Sequence, residues 1–108
     1  MATTIKNYTG REITFITKGR QLVVLPVDGR AYVGIADEAV GDYREIPMYR
    51  PVYGEVVGLP DPEQDTLYVV TTPIRNALRG RRTDLVIPVK TWRHDGKHGY
   101  YALEVSPT

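Results

Sequence analysis

The sequence contains no cysteine, so it has neither a disulfide framework nor a thiolate metal site, and a cysteine nucleophile is excluded. Serine occurs once, at Ser106, two residues from the end of the sequence. A chain end is a poor place to hold a catalytic triad. Neither glycine-rich phosphate signature, G-x-G-x-x-G or G-x-x-x-x-G-K-[ST], is present. We therefore expect that the protein is not an enzyme and that it has no catalytic residues, no cofactor and no bound metal.

Long hydrophobic runs are also missing, and the first thirteen residues lack the layout of a signal peptide. Positive and negative charges nearly balance, because the chain has 14 Lys and Arg and 13 Asp and Glu, for a net charge of +1. That balance argues against a dominant electrostatic attraction to nucleic acid or to a membrane. With 108 residues and no break in composition, the sequence predicts a single cytoplasmic domain over residues 1–108 with no membrane partner.

Short segments rich in β-branched and aromatic residues recur along the chain, separated by turn residues every eight to twelve positions. They predict strands at residues 4–9, 12–17, 21–25, 30–36, 52–57, 67–71, 85–92 and 100–105. The fold class predicted is mainly β, a small antiparallel barrel or sandwich with one short helix, the alternative being an α+β roll. Segment 67–71 is nearly all apolar, which predicts a central strand buried on both faces. Residues 37–51 contain Pro47 and Pro51, which predict a loop with at most an edge strand near 43–46.

One helix, at about residues 73–79, has clear start and stop signals. Thr72 is predicted to cap it, with Pro73 at the first helical position, where a missing N–H costs nothing. Gly80 fits the position just past the end, which favours a left-handed backbone.

So short a helix is not stable alone and needs tertiary packing. Ile74 and Leu78 lie four residues apart and share one face. We expect that face to dock on the sheet and to form the core together with Leu67 and Val69.

A string of short motifs follows the middle of the chain. It comprises Tyr53-Gly54-Glu55, Gly58-Leu59-Pro60, Thr66 to Val70, Ala77-Leu78, Gly80-Arg81-Arg82, Asp84-Leu85 and Pro88. It resembles a pattern found in a group of short uncharacterised proteins of bacteria and their bacteriophages, whose opening strand is matched loosely by residues 5–9. The chain departs from that pattern at Thr71, where serine is usual. The resemblance implies a small protein associated with phages or mobile elements, and it supplies no catalytic residue.

An arginine cluster, Arg75, Arg79, Arg81 and Arg82, falls within eight residues. Guanidinium groups suit phosphates and carboxylates, so the cluster predicts an anion site with Tyr53 or Tyr68 as a stacking face for a nucleobase. The alternative is a structural or solvated cluster, in which Arg82 pairs with Asp84 or with the acids of the loop at 61–65. His94, Asp95 and His98 form a trio of residue types that can bind metal. The trio lies in a predicted polar turn, so we expect no metal there.

Two functions stay open. The first is a non-enzymatic binding protein that captures a small phosphorylated, nucleotide-type ligand, for example to blunt a host defence signal. The second is a protein–protein interaction module, either an inhibitor or a structural component of a virion. A β-rich chain with eight tyrosines and near-zero net charge fits either, and it also fits a homo-oligomer.

Overall fold

The structure, a computed structural model, describes residues 3–94 and 96–105, with only the backbone of His94. The described elements are β1 (Thr4–Asn7), β2 (Ile13–Ile16), β3 (Leu22–Leu25), β4 (Tyr32–Tyr43), β5 (Ile46–Val57), β6 (Thr66–Val69), α1 (Thr72–Ala77), β7 (Leu85–His94) and β8 (Lys97–Val105). Among the described residues, 59 lie in strands and six in the helix. The prediction of a mainly β protein with one short helix is confirmed.

Six strands form one sheet in the order β1-β6-β7-β8-β2-β3. The pairs β1–β6, β6–β7 and β2–β8 are parallel, whereas β7–β8 and β2–β3 are antiparallel. After β3 the chain returns to β1, where the N–H groups of Asp28 and Gly29 donate to the carbonyl oxygen of Asn7. A further bond joins the Ala31 N–H to the carbonyl of Tyr8 at 3.0 Å. The sheet is therefore nearly closed and barrel-like, but it is mixed rather than purely antiparallel.

The core lies on both sides of β6 and β7, because successive side chains of a strand point to opposite faces. Tyr68 belongs to one buried cluster, together with Leu85 and the helix residue Ile74. Val69 belongs to a second cluster, together with Val86. Both sides of β6 are thus buried, as its apolar run predicts.

Helix α1 begins at Thr72, and its cap is Thr71 rather than the predicted Thr72. No side chain provides a cap hydrogen bond, although proline does occupy the first turn as predicted. Ile74 is 2% exposed, and Leu78, just past the helix, is partly buried against the same core cluster. Gly80 follows with φ +80°, as its predicted position requires. The docking prediction is confirmed for Ile74 and Leu78.

Residues 32–57 form a long two-stranded hairpin, β4–β5, which we call the arm. The prediction of a loop over residues 37–51 is wrong. Pro47 and Pro51 are tolerated because, among the described strands, β5 pairs with β4 alone, so a missing N–H can face away from the pairing. The turn at the tip is made by Arg44 and Glu45, with φ values of 50° and 66°. This left-handed pair suits a tight hairpin, but it is normally signalled by Asn-Gly, which is why the sequence did not predict it.

Candidate functional site

Arg82 is held by internal partners. Its guanidinium donates to both carboxylate oxygens of Asp84, at 2.8 and 2.7 Å, and to the carbonyl oxygen of Pro60 at 3.0 Å. The Arg82 hydrogen bonds hold the pKa of the Asp84 carboxyl below its ordinary value, and the same pair raises the pKa of Arg82. Both side chains are 14% exposed. Arg82 therefore forms the structural ion pair with Asp84 that was stated from the sequence as the alternative to an anion site.

The other three arginines do not converge. Arg75 is largely buried and forms an ion pair with Glu104 of β8. Its Nε is buried and has no hydrogen-bond partner in the described part of the chain. Arg79 and Arg81 are exposed. The four residues therefore do not form one pocket.

The two tyrosines proposed as stacking faces lie in different sheets. Tyr68 has no exposed surface, its hydroxyl donates to the Asp61 carbonyl at 3.3 Å, and burial raises its pKa. It cannot stack on a ligand, and this part of the prediction is wrong. Tyr53 is half-buried on the arm, where it pairs with Ile35. Arg82 does lie over the Tyr68 ring, 5.7 Å from its centroid, but this contact is internal.

A different part of the molecule holds a groove of about 640 Å³, lined by β2, β3, β7, β8 and the loops before β2 and α1. Two cationic side chains, Arg11 and Lys97, line it together with the single tryptophan, Trp92. Hydroxyl groups come from Thr9, Thr14, Thr71 and Thr72, and the apolar lining includes Leu22 and Val24. Glu12 is the one acidic residue among the described lining residues. The groove therefore combines an aromatic side chain, hydroxyl groups and a small excess of positive charge.

Trp92 is fixed in place within this groove. Its indole N–H donates to the carbonyl oxygen of Tyr100 at 3.2 Å, across the β7–β8 pairing. Gly99, which pairs with Trp92 in the register, lies under the ring, and a Cβ there would be 2.7 Å from a ring carbon. Because the indole N–H is occupied, Trp92 offers a ligand an apolar surface rather than a hydrogen bond.

The loop that presents Arg11 is braced by Asn7, which is 1% exposed. The Asn7 amide donates to the carbonyls of Arg11 at 2.7 Å and Leu25 at 3.2 Å. Its side-chain oxygen accepts from the Thr9 hydroxyl at 2.6 Å and from the Thr9 N–H at 3.0 Å. A buried amide with every group bonded is a rigid support, so the backbone that carries Arg11 is preorganised.

A second cavity of about 440 Å³ adjoins the groove. Thr9, Arg11 and Thr71 line both spaces, and the second continues towards Tyr32 and Ile35 at the base of the arm. The loop that carries Arg11 therefore separates the groove from the root of the arm.

No group of three or more His, Asp or Glu side chains that could hold a metal occurs within residues 3–94 and 96–105. The His94, Asp95 and His98 trio lies partly outside the described residues, because Asp95 and the side chain of His94 are not among them. His98 lines the groove. The absence of a metal site at the trio stays a prediction.

The groove residues were missed from the sequence. Arg11 lies 81 positions before Trp92 and 86 before Lys97 in the sequence, and the parallel pairing of β2 with β8 brings it close to them. One signal was available, because Trp92 is the single tryptophan and tryptophan is a common anchor of binding sites. Asn7 gave no such signal, since its buried role depends on contacts with residues up to Asp28.

The comparisons with known proteins returned no matching family model, no matching curated protein and no matching solved structure. None of the helices within the described residues could cross a bilayer.

Proposed function

We propose that this chain is a non-enzymatic protein that captures a small phosphorylated, nucleotide-type ligand in the groove at Trp92. The observation that carries the proposal is the presence of Trp92, Arg11 and Lys97 in one cavity of about 640 Å³. Small-molecule sites typically occupy ~300–1,000 Å³ and combine an apolar lining with a few polar groups. The groove fits that description in both size and lining.

Each part of such a ligand has a chemical partner in the groove. Trp92 supplies an aromatic surface, and base–aromatic stacking is tolerant of base identity. The Arg11 guanidinium can donate two hydrogen bonds to a phosphate, and the Lys97 ammonium supplies a second positive charge. Threonine hydroxyls, such as those of Thr9 and Thr71, can donate to a phosphate or accept from a sugar hydroxyl. The site thus differs from the arginine cluster predicted from the sequence, although the proposed ligand class is the same.

The biological role that we propose follows the resemblance to short phage and bacterial proteins. A small protein that binds a nucleotide-type signal without turning it over lowers the free concentration of that signal. In a phage-associated protein, this would blunt a host defence. The missing cysteine, which removes one class of nucleophile, supports binding rather than turnover.

The test is a thermal-shift screen of the full chain against mono-, di- and cyclic nucleotides. A ligand at 100 times its Kd stabilises by about 2.7 kcal/mol, which corresponds to a rise in Tm on the order of 10 °C for a domain of this size. Each nucleotide that raises Tm is tested again on the groove variants Arg11→Ala and Lys97→Ala. The matched control is Arg79→Ala plus Arg81→Ala, which removes exposed arginines outside the groove. Raising the salt concentration should also weaken binding.

We expect the groove variants to lose the shift and the control to retain it. If the control loses the shift and the groove variants retain it, the ligand binds at the arginine cluster. If no member of the panel raises Tm, or if a nucleotide is consumed during incubation, the proposal is wrong.

A further inference from the structure

The arm projects from the barrel with its side chains in solvent. Every residue from Gly34 to Val52 is exposed. The radius of gyration is 16.6 Å, against about 13 Å for a typical compact domain of this length. Among the described strands, β4 and β5 pair only with each other. A two-stranded ribbon standing alone in water is marginally stable at best.

The arm is nevertheless rich in large apolar side chains. Seven are exposed between Gly34 and Val52: Ile35, Val40, Tyr43, Ile46, Met48, Tyr49 and Val52. The register places Ile35, Tyr53 and Tyr49 on the face that begins with Val33 and Val56, which pack against the barrel core. The same face also carries Asp37 and Asp42, whereas Tyr43, Ile46, Met48 and Val52 lie on the opposite face. Large apolar side chains are therefore exposed on both faces of the arm. An exposed apolar surface of this extent on a small protein marks a site of association.

The charges indicate what covers the arm. Residues 32–57 hold five acidic and two basic side chains, for a net charge of −3. The rest of the chain holds eight acidic and twelve basic side chains, for a net charge of +4. Two arms repel each other, whereas the arm of one copy is attracted to the barrel of another.

The barrel offers a matching edge at β3. This strand stands at the end of the six-stranded sheet, and within the described strands its one partner is β2. Leu22, Val23 and Val24 are 59%, 41% and 47% exposed, an unusual set for the edge of a small sheet. The adjoining turn carries Lys18 and Arg20, both exposed. A strand edge with apolar and basic side chains suits an apolar, acidic strand added alongside it.

We propose that the chain forms a homo-oligomer in which the arm of one copy lies along β3 of a second copy. A strand of 12 residues is about 40 Å long, and two strands give a face of about 400 Å². β3 has four residues and is about 14 Å long, so it matches about one third of the length of the arm. The opposite net charges of arm and barrel, rather than the buried area, indicate a second copy as the partner. Leu22 and Val24 also line the groove, so the docking edge adjoins the proposed ligand site, but the tests of association below use no ligand.

The first test is the molar mass in solution, measured by light scattering during size-exclusion chromatography. We expect at least twice the 12.2 kDa of one chain. Replacing arm side chains (Ile35→Ser with Tyr49→Ser) should weaken association at least tenfold. The matched control is Tyr101→Ser, which removes an exposed tyrosine of β8 that is 53% exposed and lies outside both the arm and β3. Circular dichroism melting shows whether each variant remains folded.

The second test is a charge exchange that needs no apolar substitution. Asp37→Lys with Asp42→Lys reverses the arm, and Lys18→Glu with Arg20→Glu reverses the barrel edge. Either pair alone should weaken association, and the chain carrying all four substitutions should recover it. A monomeric native chain at 100 µM concentration would overturn the proposal, as would failure of the fourfold variant to recover. Loss of association in the arm variant, with no effect of the Lys18 and Arg20 reversal, would show arm-to-arm packing and would also overturn it.

Discussion

The side-chain amide of Asn7 donates a 2.7 Å hydrogen bond to the carbonyl oxygen of Arg11, four residues further along the chain. The same amide reaches Leu25, so one buried side chain joins the loop before β2 to the end of β3. Arg11 lines the groove, so Asn7 supports the proposed ligand site without touching it. Asn7 therefore links the stability of the fold to the geometry of the proposed ligand site.

Asn7→Ala should destabilise the fold by about 2–4 kcal/mol, because buried groups left without partners cost about 1–3 kcal/mol each. The Leu25 carbonyl and the Thr9 N–H lose their Asn7 partner, whereas the Arg11 carbonyl keeps the hydrogen bond from the Thr9 hydroxyl. Urea unfolding followed by circular dichroism measures the change. Thr4→Ala, on the exposed part of β1, is the control and should shift stability by less than about 0.5 kcal/mol. Equal midpoints for the two variants would contradict the role given to Asn7.

The Arg82–Asp84 pair should make stability depend on pH in the acid range. Because the folded-state pKa of Asp84 is depressed, the pair stabilises the fold above the ordinary carboxyl pKa of about 4. The contribution is lost as the pH falls through the lower folded-state value. Asp84→Asn should therefore be less stable than the native chain by about 1.5–3 kcal/mol at pH 7, the range for hydrogen bonds to charged groups.

The measurement is a series of urea unfolding curves between pH 2.5 and 7 for both proteins. The gap in unfolding free energy should narrow steadily below about pH 4, since the remaining carboxyls titrate alike in both proteins. Glu63→Gln serves as the control, because it removes a carboxyl from an exposed pair with Lys6. A gap that is the same at every pH would mean that the Asp84 charge does not contribute.

Much of the fold could be predicted because local pattern and burial agree along β6. The apolar run at 67–71 indicated a central strand, and Tyr68 and Val69 have no exposed surface. The arm could not be predicted, because Pro47 and Pro51 exclude a strand only where both edges are paired. In a two-stranded ribbon that rule does not apply. The parallel pairs were missed because short turns indicate hairpins, whereas β1–β6 and β2–β8 are joined through distant parts of the chain.

The candidate site shows the same limit. The pairing of Arg82 with Asp84, one of the alternatives given from the sequence, was predictable because the two residues lie two positions apart, and the bidentate contact confirms it. The groove was not predictable, because Arg11 and Lys97 lie 86 positions apart in the sequence. A cluster of like residues along the sequence drew attention to the arginines. The chemistry in the groove comes instead from single residues on four strands and two loops.

The contribution of α1 to the core can be measured at two positions. Ile74→Ala should cost about 2–5 kcal/mol, because the side chain is 2% exposed and its removal leaves a cavity. Leu78→Ala should cost less, since Leu78 is only partly buried at the edge of the same cluster. Asn76→Ala, on the exposed face of the helix, is the control. If Ile74→Ala melts like the native chain, the helix does not dock on the sheet.

Gly58 and Gly80 provide a matched pair, because both have positive φ, +91° and +80°. A Cβ at Gly80 would meet nothing within 4 Å, so Gly80→Ala should cost only the left-handed backbone penalty, about 1–2 kcal/mol. A Cβ at Gly58 would overlap the carbonyl oxygen of Arg30, a backbone atom at the root of the arm. Gly58→Ala should therefore cost more than Gly80→Ala, because the backbone itself must move. Urea unfolding of the two variants side by side measures the difference in stability. A penalty at Gly58 no larger than that at Gly80 would show that Gly58 does not lie as close to the Arg30 carbonyl oxygen as it does in the structure.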